Sequence, residues 1–252
     1  MTTRSMNWYE PIRRLAHPGQ FVRLADRLIV PLWILTGLLF IAGLWLSLFS
    51  SPADYQMGDT VRIMYVHVPT AWLSQFVYAA MAVSALGTLV WRHPLADVSM
   101  QAAAPLGAAF TALALVTGAL WGRPTWGTFW EWDGRMTSTL VLFLIYLGII
   151  ALWRAFEDPL RAARFVAVLT LVGAVNIPIV KFSVDWWATL HQPASVFRAD
   201  GPAMPPDMLV PLLVMALAFT ALFTVLHLIG MKTELANRRI ATLERRLAER
   251  EP

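Results

Sequence analysis

Six stretches of the chain are almost purely apolar, and short polar segments separate them. The first, residues 28–49, is 22 residues long. A signal-peptide core is only about 7–15 residues, so this run is expected to remain as an uncleaved span. The others cover residues 71–91, 102–121, 136–153, 165–180 and 209–229. The runs at 136–153 and 165–180 lie near or below the usual lower limit of about 17 residues, so their ends are the ones expected to shift. The pattern predicts an all-α membrane protein: one integral domain over residues 1–252, built as a bundle of six transmembrane helices.

Composition agrees with that picture and narrows the chemistry. Hydrophobic residues make up 58% of the chain and charged ones 14%, whereas a soluble domain carries about 25% charged residues. Cysteine is absent, which excludes disulfides, iron–sulfur clusters and thiolate zinc sites. A soft metal or haem iron would have to use imidazole or methionine. The net charge of +4 suggests nucleic acid only superficially, because the basic residues form no patch. They are instead sorted by side. With six spans, fifteen Lys and Arg fall on the side of the termini and five on the other. The positive-inside rule therefore puts both termini in the cytoplasm. The polar segment 1–27 carries Arg4, Arg13, Arg14, Arg23 and Arg27, and its Phe21, Leu24 and Leu28 repeat at helical spacing. The tail 230–252 alternates charge, with Ile240, Leu243 and Leu247 on one face of an expected cytoplasmic helix or, equally, in a solvated tail.

Between the third and fourth spans, on the outer side, runs Trp126-Gly127-Thr128-Phe129-Trp130-Glu131-Trp132-Asp133. If this stretch is helical, Trp126, Phe129, Trp130 and Asp133 share a face at i, i+3, i+4 and i+7. That predicts a periplasmic Trp-rich amphipathic segment lying flat on the membrane. Taken alone, the stretch reads first as an aromatic belt, since tryptophan favours the headgroup level of any membrane protein.

The histidines add a second signal. His17, His93 and His227 fall at the cytoplasmic side and read as surface or headgroup residues. His67 and His191 both fall outside the membrane, each with proline two residues on, 59 and 58 residues from the ends of the tryptophan stretch. Each is two membrane crossings away. Two imidazoles flanking an aromatic shelf suit a flat apolar macrocycle with a metal that takes axial ligands. Haem propionates need cations, and Arg62, Arg123, Arg135, Lys181 and Arg198 are the basic residues on that side. In a continuous helix Arg135 points away from the aromatic face, so Gly134 must break the helix if Arg135 is to help.

The stretch 126–133 matches the WGxxWxWD signature of tryptophan-rich, haem-handling proteins of cytochrome c biogenesis. With six spans and one histidine on each side of the signature, the chain resembles the cytochrome c maturation protein C family over all its spans. The resemblance implies a protein that holds haem b at the periplasmic face of the inner membrane and presents it to a periplasmic haem chaperone. It implies His67 and His191 as axial ligands, Trp126, Trp130, Trp132 and Asp133 as the platform, and Arg62 and Arg135 as functional arginines. It also implies an ABC transporter (membrane and ATPase subunits) and a small single-span subunit as partners. The chain has no nucleotide-binding loop, in keeping with a separate ATPase.

Delivery of haem, without enzymatic turnover, is the leading expectation. A b-type electron-transfer cytochrome normally pairs its histidines inside the spans, whereas His67 and His191 read as outer-loop residues. A small-molecule transporter would carry ionisable residues in mid-span or paired discontinuous helices, and these spans are nearly free of charge; the one conspicuous interruption, at Asn176 and Pro178, reads as a kink. Orientation is directly testable because the chain has no native cysteine to label. Thr128→Cys is expected to react with a membrane-impermeant thiol reagent in intact cells, and Ser99→Cys is not. The opposite pattern would reverse the topology.

Overall fold

The structure is a computed structural model describing residues 17–187 and 189–249. Arg4, Arg13, Arg14 and Arg250 of the charge pattern lie outside the described residues. Helix α1 (Pro18–Trp45) ends in a π-helical turn, Leu46–Ser50, and a 3-10 turn, Asp59–Ile63, leads into α2 (Met64–Leu89). There follow α3 (Ala96–Trp126), α4 (Gly134–Arg154), α5 (Pro159–Gly173), α6 (Asn176–Trp186) and α7 (Pro206–Ala248). Among the described residues, six helical segments are long and apolar enough to cross a membrane, α5 and α6 together forming the fifth. The protein is an all-α bundle of six such helices.

Local chemistry sets the helix ends. Pro18, Pro159 and Pro206 open α1, α5 and α7, where a missing N–H costs nothing. Asp158 and Asp133 cap α5 and α4 through backbone amides, Asp158 to Leu160 at 3.0 Å and Asp133 to Met136 at 2.7 Å. The interruption at Asn176 and Pro178 is a break between α5 and α6. Pro178 removes one helix hydrogen bond, and the Asn176 amide spans to the Ser138 carbonyl on α4 at 2.9 Å.

In lipid, apolar side chains gain little by exchanging one neighbour for another, so helices associate through close fit and hydrogen bonds. The centre of this bundle follows that rule. Tyr78 on α2 and Tyr146 on α4 are fully buried and meet edge to face at 5.2 Å. The Tyr78 hydroxyl donates to the Thr170 carbonyl at 3.1 Å and that of Tyr146 to the Ser74 carbonyl at 2.8 Å. Each ring lies on a glycine of another helix: a Cβ at Gly107 would collide with Tyr146, and one at Gly173 with Tyr78. At the opposite end from the tryptophan stretch, Arg238 of α7 reaches Asp97 at 2.5 Å, Glu234 at 2.7 Å and Gln101 at 3.1 Å. This ties α7 to the start of α3.

Two local expectations are corrected. Residues 126–133 are not one helix: α3 stops at Trp126 because Gly127 turns left-handed (φ 81°), and the chain is irregular until Asp133 starts α4. His67 is not in a loop but one turn inside α2. Hydropathy falls around Arg62, His67 and Pro69, which hid a helix that polar residues nonetheless continue. Ser99 bonds to Ser84 and His227, so exposed Glu157, at the same end of the bundle, is the better labelling position.

Overfilling the tyrosine seat should loosen the bundle. Gly107→Val is expected to lower stability by about 1–3 kcal/mol, the usual cost of overpacking, seen as a lower melting temperature in detergent. At Gly148 a Cβ meets nothing within 4 Å, so Gly148→Ala should hold or raise it. Equal melting temperatures for the two variants would mean that Tyr146 is not seated on Gly107.

Candidate functional site

The site grows from Asp133. As N-cap of α4 it needs one oxygen, Oδ1, for the Met136 amide. Its other oxygen, Oδ2, accepts the Thr189 hydroxyl and the His191 Nδ1–H, the latter at 2.9 Å. Thr189 also accepts the His191 backbone amide at 3.1 Å. One carboxylate thus joins the start of α4 to the loop between α6 and α7. Burial alone would raise the Asp133 pKa, but the bonds from Thr189, Met136 and His191 outweigh it and hold the carboxyl below its ordinary 3.8. Burial lowers the pKa of His191 from 6.5, with Arg135 adding to the effect, and Asp133 offsets only part of it. The ring is therefore neutral at pH 7 and carries its proton on Nδ1, since a carboxylate can only accept. Nε2 keeps a free lone pair.

His67 is aimed by other means. Its Nδ1 lies 3.0 Å from the Ala114 carbonyl and 3.2 Å from the Thr117 hydroxyl on α3. A carbonyl can only accept, so Nδ1 again holds the proton and Nε2 is free. The ring sits over Gly118, where a Cβ would approach Cε1 to 2.9 Å, and meets Trp121 edge to face at 5.7 Å.

Around these rings the expected residues are only partly gathered. Trp126 packs edge to face on His191 at 4.9 Å, and Trp130 contacts Trp132 at 5.5 Å. Trp132 is 73% exposed. The Arg135 guanidinium, which donates to the Lys181 carbonyl at 3.2 Å, lies within electrostatic reach of both imidazoles. Arg62 turns towards the α1–α2 connection, bonded to the Leu48 carbonyl and paired with Asp59 at 3.0 Å. Arg62 Nε, Arg135 Nε, Trp121 Nε1 and Trp130 Nε1 are buried with no hydrogen-bond partner among the described residues. Buried donors are normally satisfied, so four open donors suit a ligand bearing acceptor groups. Two free imidazole nitrogens, broad indole faces and such donors fit a flat metallomacrocycle with carboxylate substituents. His93 and His227 lie at the other end of the bundle, His227 bonded to Ser99 at 3.1 Å.

The residues missed in the sequence are Ala114, Thr117, Gly118, Trp121 and Thr189. The first four stand at i, i+3, i+4 and i+7, a stripe of small residues ending in tryptophan. That spacing was visible, but inside an apolar run it looks like any helix face.

Residues 11–246 match the family model described as "Heme exporter protein C". A heme exporter protein C of Bradyrhizobium diazoefficiens is 60% identical over 236 residues, 94% of this chain and 89% of that one. The Escherichia coli K12 protein of the same name is 42% identical over 225 residues, 89% of this chain and 90% of the relative. A Marchantia polymorpha protein, "Putative cytochrome c biosynthesis ccmC-like mitochondrial protein", is 43% identical over 208 residues, 81% of this chain and 86% of its own length.

The ring orientations are measurable without any ligand. In ¹⁵N-histidine-labelled protein at pH 6.5, the ordinary value that His191 falls below, His191 should be mostly neutral with Nδ1 protonated. The unfolded chain takes up the proton first, so this loop should lose stability as pH falls below about 6.5. Gly118→Val should shift the His67 ring signals and leave those of His191 in place. A mostly charged His191 at pH 6.5 would overturn the assignment.

Proposed function

The chain belongs to the heme exporter protein C family, and on that footing we propose that it holds haem b between His67 and His191 and passes it to a haem chaperone. Membership of this family carries haem handling for cytochrome c biogenesis. The finer reading is that the haem lies at the periplasmic face of the inner membrane, with both termini cytoplasmic, and that the protein acts as a carrier without turnover of its own.

One observation supports this above the others. Both outer histidines have Nδ1 tied to an acceptor and Nε2 free, the arrangement that orients a ligating imidazole. Trp126, Trp130 and Trp132 offer apolar faces for the ring system. Arg135 and Arg62, each with an open buried Nε–H, are suited to propionates. Asp133 enters as the residue that aims His191 and not as a wall of the platform. The receiving chaperone, an ABC transporter with membrane and ATPase subunits, a small single-span subunit and the surrounding lipid make up the proposed partners; nucleic acid is not among them.

His67 within α2 narrows the contrast with an electron-transfer cytochrome b. His191 keeps the two apart, because it lies beyond α6 in an outer loop.

Three spectra are expected from purified protein. The wild type should be six-coordinate and low-spin, His67→Ala or His191→Ala perturbed towards high spin, and the double variant largely haem-free. His93→Ala should match the wild type. A single outer variant with an unchanged spectrum and full haem content would remove that residue from the ligand set.

A further inference from the structure

Each imidazole is held by a different kind of acceptor. His191 Nδ1 donates to a carboxylate oxygen of Asp133 at 2.9 Å. His67 Nδ1 donates to a peptide carbonyl, that of Ala114, at 3.0 Å, with the neutral Thr117 hydroxyl at 3.2 Å. The Thr117 hydroxyl spends its own proton on the Leu113 carbonyl at 2.7 Å, so towards His67 it is an acceptor without charge. Hydrogen bonds to an ionised acceptor are roughly twice as strong as neutral ones. An acceptor that draws on the Nδ1 proton pushes electron density to Nε2 and makes it a better donor to a metal. Asp133 can do this while serving other groups, because a carboxylate has about four lone-pair sites and three donors use them here.

Position points the same way as electronics. His67 rises from the first turns of a membrane-spanning helix, wedged between Gly118 and Trp121 of α3. His191 lies in the outer segment between α6 and α7, beside exposed Leu190. A cargo that departs outward draws away from the helix-bound ring first. A loop-borne ring can follow it for part of the way.

Resting on the haem-ligand reading above, we propose that the two histidines are unequal ligands: His191, backed by Asp133, binds iron strongly and keeps it longest, whereas His67, backed by a peptide carbonyl, opens first at hand-over. The exchange is a ligand substitution. The electron pair of the Fe–Nε2 bond returns to His67, and a lone pair from the receiving protein fills the vacated position. Iron keeps its oxidation state, no proton is transferred, and no oxidant or reductant is needed. Asp133 is a positioning residue in this scheme, acting only through His191.

The test uses the full-length protein reconstituted with haem. His67→Gly leaves His191 as the protein ligand, and His191→Gly leaves His67. Resonance Raman spectra of the ferrous forms should give a higher iron–histidine stretching frequency when His191 is the remaining ligand. Equal frequencies, or a higher one for His67, would overturn the proposal. Asp133→Asn is then added to each variant; asparagine still caps α4, and membrane abundance reports on folding. On the His67→Gly background it should lower the stretching frequency and weaken haem affinity about ten- to a hundredfold, as loss of a ligand's partner does. On the His191→Gly background it should change neither. The same loss on both backgrounds would make Asp133 merely structural and end the proposal. The Raman comparison of the two single variants stands even if Asp133→Asn fails to accumulate. If the His67→Gly/His191→Gly protein kept wild-type coordination, the ligand assignment itself would fail, an outcome distinct from all of these.

Discussion

Polar groups inside a bilayer have no water to turn to, and this constraint shapes the protein from its centre to the end that carries His67 and His191. A buried hydroxyl, amide or imidazole must find its partner within the chain or remain costly. At the centre, Tyr78 and Tyr146 bond to carbonyls of neighbouring helices, Thr170 and Ser74. At the end of the tryptophan stretch, the two imidazoles do the same with Ala114 and Asp133. The device that makes a helix crossing specific is thus also the one that fixes how a histidine ring faces. Glycine completes it in both places, since Gly107 and Gly173 admit tyrosine rings and Gly118 admits an imidazole.

The gross architecture was legible because a membrane span announces itself by length and apolarity, and six such runs stand out in the chain. Spacing pointed His67 and His191 at the tryptophan stretch; His191 does meet Trp126, whereas His67 packs on Trp121, which precedes the stretch. The helix ends were not legible, because hydropathy records solvent preference and the backbone obeys caps. Met64 to Pro69 looks like a polar approach to a span, yet α2 is already formed there. Gly127 was read as part of a continuous amphipathic segment, whereas its left-handed φ ends α3. The seat of His67 on Ala114, Thr117 and Gly118 could not be told from an ordinary lipid-facing stripe, since nothing in a single helix says which side meets which neighbour. Asp133 was noticed for its charge and placed on the platform; that it bonds to a histidine 58 positions away depends on tertiary closure alone.

The electrostatic character of the histidine-bearing end follows from a few unbalanced groups. Asp133 is the buried carboxylate there, and three donors hold it ionised. Arg135 and Arg62 keep part of each guanidinium without a partner. Unsatisfied buried donors cost about 1–3 kcal/mol each, which is tolerable only where something else can complete them. This end therefore departs from the self-sufficiency of the tyrosine layer, where every hydroxyl is answered from within.

Asp133 also bears on the order in which the molecule comes together. The oxygen that starts α4 and the one that aims His191 belong to one carboxylate. A chain whose fourth helix has not nucleated has no fixed anchor for the loop beyond α6. Conversely, docking of Thr189 and His191 neutralises two demands on the residue that closes the first turn of α4. Insertion of that helix and closure of the loop that carries His191 become a single cooperative event, and a half-assembled protein presents no correctly aimed His191 ring. For a membrane protein synthesised span by span, the late-emerging segment thereby inspects the earlier one.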